Sequence, residues 1–270
     1  MKAQTQLRTL IVLFLSLIFS ALSFANERHY SYVYESTVMG KGAKELEIWT
    51  TPKLGKDMGY YARMENRIEF EVGLSNRLLT AFYLNTRQTT ADNNTGVNTT
   101  EFEFEGISSE WKYQISKPTG ALGFALYAEL GLNTDEVELE TKLIFDKKFG
   151  KTFMALNFTF EPEWELTPGK SEQETKLETS FGLSHEFTPH FSAGIEARQH
   201  NVFAEGELEH SALFAGPVVS VSQPSWWATL TVMPQITAFK NKTPGKNLDL
   251  SEYTKLEARL IFSLELGEAD

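Results

Sequence analysis

The sequence predicts an all-β fold, a closed, antiparallel, up-and-down transmembrane β-barrel of about twelve strands. Three observations carry this prediction: charged and apolar residues alternate with a period of two along most of the chain, the N-terminus reads as an export leader, and the connections between expected strands alternate in length. The alternation is plainest over Tyr61–Val72, where Arg63, Glu65, Arg67, Glu69 and Glu71 interleave with Met64, Asn66, Ile68, Phe70 and Val72. A period of two makes two distinct faces only on an extended strand; on a helix the same charges would circle the axis. A strand with one ionic and one apolar face belongs in a sheet half covered by a core, or in a barrel wall between lipid and water.

Lys2 and Arg8 form a basic start, Leu10–Phe19 is apolar apart from Ser16, and Ser23-Phe24-Ala25 supplies small residues where a signal peptidase cuts. The apolar run is shorter than the ~20 residues a spanning helix needs, so residues 1–25 read as a cleaved signal peptide of a Gram-negative cell. Residues 26–42 follow as a periplasmic N-terminal arm, and 43–270 as the outer-membrane β-barrel, with no linker dividing it. The chain has no cysteine, which excludes disulfides, thiolate metal sites and a cysteine nucleophile. Its net charge of −11, or −13 once the leader takes two basic residues with it, argues against nucleic acid as a partner.

Within the arm, Tyr30, Tyr32 and Tyr34 occupy alternate positions before Gly40-Lys41-Gly42, as an extended arm or plug would. Lys44–Thr50 is the first strand, with Leu46 and Ile48 opposed to Glu45 and Glu47. Thr51–Gly59, with Pro52 and Gly55, is a loop. After Tyr61–Val72 comes a tight turn at Gly73-Leu74-Ser75-Asn76. Leu78–Thr86 returns to a polar loop at Arg87–Thr99, and Thr100–Ser116 sets Glu101, Glu103 and Glu105 against Phe102 and Phe104. Lys117–Gly120 turns into Leu122–Leu132, and Asn133–Asp135 into Glu136–Phe145. Asp146–Lys151 turns into Thr152–Glu165, and the loop Leu166–Gln173 precedes Glu174–His185. Phe191–His200 leads to a loop at Asn201–Leu208. Glu209–Val221 and Trp226–Phe239 form a less charged hairpin, and Tyr253–Leu266 is the last strand.

Connections after the second, fourth, sixth, eighth and tenth strands are short. Those after the first, third, seventh, ninth and eleventh are mostly longer and more polar, with Asn133–Asp135 the exception. Short periplasmic turns and long outer loops sort this way in an outer-membrane barrel, whereas a sandwich has no reason to sort loops by parity. Trp49, Tyr60, Tyr61, Trp111, Tyr113, Phe145, Trp164, Phe191, Trp226, Trp227 and Tyr253 lie near expected strand ends, where interfacial girdles form. Pro162, Pro217 and Pro234 stand against the barrel, since each falls inside an expected strand and lacks a ladder donor.

In a barrel the apolar face meets lipid and the charges turn inward, because a midplane arginine on the lipid side costs about 2–4 kcal/mol. The expected lumen lining is Arg63, Glu65, Arg67, Glu69, Glu71, Glu138, Glu140, Lys142, Glu161, Glu163, Lys176, Glu178, Glu196, Arg198, Lys255, Glu257 and Arg259. Such a lining fits a narrow porin-like channel whose excess carboxylates favour cations, or a structural membrane protein whose interior is a satisfied ion network. The partners it implies are outer-membrane lipid and small cations or small polar solutes. A soluble exported β-sandwich or lipid-binding protein is the alternative class, and a barrel hydrolase a third. Ser184-His185 and His210-Ser211 are adjacent on strands and point to opposite faces, so neither pair makes a nucleophile–base contact. His200, His210 and Glu196 form at most a thin metal site, against which stands the simpler reading of solvated lumen histidines. HExxH, GxSxG, Gly-rich phosphate loops and EF-hand spacing are absent, and Asp92–Gly96 is a turn-rich loop without spaced acidic ligands. No catalytic residue, metal or cofactor is expected, and the chain is read as a non-enzyme.

Tyr32-Val33-Tyr34-Glu35-Ser36, Lys41-Gly42, Glu45-Leu46-Glu47-Ile48-Trp49-Thr50, the Arg63–Asn76 run and Leu78–Leu84 resemble an uncharacterised family of predicted Gram-negative outer-membrane β-barrels. In that family a YxY…KG…ExExW opening precedes a charged strand and a GxxxR turn, here Gly73–Arg77. The likeness is clearest over residues 30–86. It implies the barrel fold and its location, and no activity or site residue. The chain departs from the usual barrel ending on an aromatic residue, closing instead with Leu266-Gly267-Glu268-Ala269-Asp270.

Overall fold

The computed structural model describes residues 28–57, 59–92, 96–134, 136–166 and 173–267. Residues 1–27, which include the stretch expected to be an export leader, the middle of the Asp92–Gly96 loop and the last three residues lie outside them. Twelve strands follow in order: β1 (Lys44–Leu54), β2 (Tyr61–Ser75), β3 (Leu78–Asp92), β4 (Asn98–Ser116), β5 (Gly123–Asn133), β6 (Glu136–Phe149), β7 (Thr152–Glu165), β8 (Gln173–Thr188), β9 (Phe191–Ala204), β10 (Glu207–Gln223), β11 (Trp226–Lys240) and β12 (Leu256–Gly267). Each pairs antiparallel with its sequence neighbours, and β1 pairs with β12, so the sheet closes into a barrel.

Alternation decides which way each strand faces. Every strand turns an aliphatic or aromatic side chain outward, in order Ile48, Ile68, Leu84, Ile107, Leu130, Leu143, Phe158, Leu183, Ile195, Val219, Leu230 and Leu260. Phe70, Phe158 and Leu260 are 38%, 45% and 44% exposed on this surface, whereas a sandwich would bury them against one another. The barrel is therefore a transmembrane one: its outer band is apolar, its inner face ionic, and no sheet edge is left open.

The strands outrun the apolar band. Arg87–Thr99 is expected as a loop, yet β3 runs to Asp92 and β4 starts at Asn98. Asn201–Leu208, also expected as a loop, is a tight hairpin whose corner residues Glu205 and Gly206 have φ of 51° and 84°, the left-handed pair of a primed turn. Arg87–Asp92 is polar on both faces, and Asn201–Leu208 is interrupted by Glu205-Gly206, so neither shows the alternation that marks a strand. The connection after β9 thus joins that after β5 as a short link on the rim of longer loops, hereafter the loop rim; the opposite end is the turn rim.

The prolines sit at holes in the ladder. The β10–β11 register runs from Ser211 to Phe214 and resumes at Val218; Pro217 and Pro234 both fall in that gap, and each keeps a partner on its other side. Pro162 falls in a similar gap between β6 and β7 while pairing with Thr175 of β8. The girdle expectation holds in part. Tyr60, Trp111, Tyr113, Trp164 and Phe191 are outward and exposed, but Trp49 and Trp227 are fully enclosed in the lumen, Tyr61 is buried, and Tyr253 packs inside from a loop.

Candidate functional site

The arm is inside the barrel. It joins the wall at the turn rim, where Gly42 N–H donates to Gly73 O (2.8 Å) and Gly73 N–H to Ala43 O (2.9 Å). A Cβ on Gly73 would lie 2.0 Å from Gly40 O, so only glycine lets the arm turn in here. An extended backbone in a lumen has no strand to pair with, and its amides need other partners. Wall side chains supply them. Asp146 of β6 accepts from Ser36 N–H and Oγ (2.8 and 2.7 Å), and Gln114 of β4 donates to Ser36 O (3.0 Å). Asn157 of β7 bonds both Tyr34 N–H and Tyr34 O. Glu196 of β9 accepts from the amides of Tyr32 (2.9 Å) and Val33 (2.8 Å). Ser220 of β10 and Thr229 of β11 donate to Arg28 O at 2.8 and 2.9 Å.

The alternate tyrosines each found a separate apolar cluster. Tyr34 packs with Trp49, Tyr127, Ile144 and Trp227; Tyr32 with Phe214 and Met233; Tyr30 with Val33, Ala155 and Val218. Cations cap these rings. The Arg198 and Arg259 guanidiniums both lie 4.2 Å from the Tyr32 ring centre, Arg67 lies 4.2 Å from Tyr83, and Lys142 lies 4.2 Å from Tyr127. Each such contact is worth about 0.5–2 kcal/mol, more where water is excluded. Together they form a floor across the lumen.

Between this floor and the loop rim lies a cavity of about 440 Å³. Its lining has eleven glutamates and eight lysines or arginines, and the two signs gather on opposite walls, with Glu65 and Glu257 among the basic residues. Lys53, Lys56, Arg63, Arg67 and Arg259 come from β12, β1, β2 and the loop between β1 and β2. Glu129, Glu136, Glu138, Glu140, Glu161 and Glu163 come from β5, β6 and β7, the opposite wall. Ion pairs cross the opening: Arg67 to Glu129 at 3.2 Å and Arg198 to Glu257 at 3.4 Å. Others run along the wall, Lys53 to Glu65 at 2.7 Å and Arg198 to Glu178 at 2.7 Å. Arg259 has no carboxylate partner among the described residues; it donates to Thr51 Oγ1 (3.0 Å) and Ser31 O (3.4 Å).

Of the residues expected to line the lumen, Arg63, Glu65, Arg67, Glu138, Glu140, Glu161, Glu163, Lys176, Glu178, Arg198, Glu257 and Arg259 border this cavity. Glu69, Glu71, Lys142 and Glu196 are buried around the arm. Lys255 departs from the expectation: it lies before β12 on the rim and is exposed, because that strand begins at Leu256 and not at Tyr253. His200 and His210 do not converge on a metal. His200 Nδ1 pairs with Glu178 (3.1 Å), His210 Nδ1 with Asp249 (2.6 Å), and the Tyr253 ring is a neighbour of both. Burial, with Glu252 and Asp249 nearby, raises the Tyr253 phenol well above its usual value; burial lowers the Lys56 ammonium in the loop after β1. Two carboxylate triads have the spacing to share an ion, Glu138/Glu161/Glu163 and Glu45/Glu47/Glu71. In the first, Lys176 pairs with Glu163 and lies 3.8 Å from Glu161, so its ammonium already serves as the cation.

Sequence reasoning missed Asn157, Gln114 and Asp146, the wall residues that hold the arm. Each is an isolated polar residue whose role is set by a partner more than seventy positions away, and no spacing marks it.

Two solved structures share the fold. The NanC porin structure matches with a TM-score of 0.54 at 9% identity, covering 82% of this chain and 100% of that one. The translocator domain of the autotransporter NalP from Neisseria meningitidis matches at 0.52 and 11% identity, covering 84% and 89%. At this identity the likeness is one of fold, that of bacterial outer-membrane β-barrels. No curated protein sequence matches the chain. The model of a family of unknown function, DUF6662, matches residues 22–266, nearly the whole chain, and the protein belongs to that family.

Proposed function

We propose that the protein is a plugged, narrow channel of the outer membrane for small cations and small polar solutes. Short turns mark the periplasmic side of such barrels, so the charged cavity faces outward and the arm closes the periplasmic half. One observation carries the proposal: basic and acidic walls face each other across a cavity of about 440 Å³ whose inner end is closed by the buried arm, residues 28–39. Opposed charges orient a dipolar solute, and the excess of glutamates favours a cation. Nothing in this role calls for catalysis, and we read the protein as a non-enzyme.

The test is conductance in planar bilayers, comparing the mature chain with one lacking residues 26–36. The expected result is a nearly silent full chain and a steady, cation-selective current from the shortened one. A shortened barrel that still migrates faster unboiled, yet passes no current, contradicts the channel and favours the structural reading.

A further inference from the structure

On the turn-rim half of the lumen, β1 and β2 set four carboxylates directly opposite one another. Glu45 is in register with Glu71, and Glu47 with Glu69. All four face inward and are between 0% and 3% exposed. Like charges paired across strands destabilise a sheet, and burial adds the cost of removing each from water. A fifth, Glu110 of β4, is buried in the same row, since Glu71 pairs with Ala81 and Ala81 with Glu110. The small alanine between leaves the two carboxylates open to each other.

The neighbourhood answers this charge incompletely. Trp227 Nε1 donates to Glu45 Oε1 (2.9 Å), Trp49 Nε1 to Glu47 Oε2 (2.6 Å), and Tyr83 OH to Glu110. The Arg28 guanidinium lies 3.8 Å from Glu47 Oε2. Among the described residues no donor reaches Glu45 Oε2, Glu71 Oε2 or either oxygen of Glu69, all of them buried. One arginine cannot neutralise four carboxylates. Meanwhile Glu45, Glu47 and Glu71 each bring an oxygen within 4.8 Å of the others. Oxygens so placed fit around one ion with metal–oxygen distances of about 2.3–2.6 Å, the calcium range; magnesium at about 2.0–2.1 Å draws its ligands closer.

We propose that Glu45, Glu47 and Glu71 bind one hard divalent cation, calcium by size, with Glu69 beside them as a further oxygen donor. The ion ties β1 to β2 and, through Glu47 and Arg28, to the arm. Its ligands are oxygens alone, as such a cation prefers. This site lies on the far side of the floor from the cavity and does not depend on whether the barrel conducts.

Trp49 and Trp227 already touch the ligands, so they serve as antennae for terbium. The mature full chain, folded in detergent and stripped with EDTA, is titrated with terbium while tryptophan is excited. The expected result is emission saturating at one ion per barrel, displaced by calcium, with a melting temperature that rises on calcium addition and falls with EDTA. Glu45→Gln with Glu71→Gln weakens binding at least tenfold, and Glu138→Gln with Glu163→Gln leaves it unchanged. Trp227→Phe, which leaves the carboxylates intact, dims the emission without altering the stoichiometry. A wild-type barrel that shows neither sensitised emission nor a calcium-dependent melting shift overturns the proposal, and protons then neutralise the patch. Emission that survives Glu45→Gln/Glu71→Gln but is lost in Glu138→Gln/Glu163→Gln overturns it equally.

Discussion

Asn157 holds Tyr34 by both ends of one residue: its Oδ1 accepts from Tyr34 N–H at 2.6 Å and its Nδ2 donates to Tyr34 O at 2.9 Å. A side-chain amide here does what a neighbouring strand does in a ladder. Asn157→Leu removes both bonds and leaves two buried backbone groups unpaired, each costing about 1–3 kcal/mol. Urea unfolding of the folded barrel should show a loss of about 2–6 kcal/mol, and trypsin should cut after Arg28, which the wild type shields.

The same device recurs at the other rim. Gln235 Oε1 accepts from Asp249 N–H (2.8 Å) and its Nε2 donates to Asp249 O (3.0 Å), pinning the 241–255 loop over the cavity. Gln235→Leu is expected to free that loop, seen as faster amide exchange at Leu250 and Ser251, while exchange in the arm stays slow. Equal loosening of both segments would show that they are not held independently.

Gly182 gives a way to unseat the arm without touching a polar group. A Cβ there would stand 2.6 Å from the Tyr30 ring, which is fully buried and bonded through its hydroxyl to Phe153 O at 2.8 Å. Gly182→Val should expel Tyr30 and expose Arg28 to trypsin, with the barrel's resistance to unfolding by detergent intact. Under the channel proposal the same variant acquires conductance.

The lipid face makes a prediction of its own. Phe158 lies mid-strand in β7 and Phe239 one residue from the end of β11, both outward. Phe158→Arg should destabilise the barrel in phospholipid vesicles by about 2–4 kcal/mol and Phe239→Arg by about 0–1. Equal effects at the two positions would place the hydrocarbon layer elsewhere on the wall.

The wall was legible in the sequence because a strand needs only its own period to be recognised, and Arg63–Val72 displays it without help. Strand ends were not: Thr89–Asp92 is polar on both faces, and in Asn201–Ala204 three apolar residues run together, so the alternation is lost in both while the sheet continues. The cavity was half legible. Alternation placed Arg67 and Glu138 inward, yet the separation of basic from acidic walls depends on which strands face each other across the closed ring. The arm's tyrosines stood out by spacing alone, while the residues that grip them, Asn157 and Glu196, look like any other polar position on a strand.

The arm also dictates an order of events. It runs without a break from Ala43 into β1, whose free edge meets β12, and its contacts reach strands as distant as β11. A cylinder sealed first would have to thread its own leading segment in afterwards, displacing the water that hydrates every wall amide and carboxylate there. Packaging the segment while the seam is still parted avoids that barrier, so the junction of first and last strands should be the final contact to form during biogenesis.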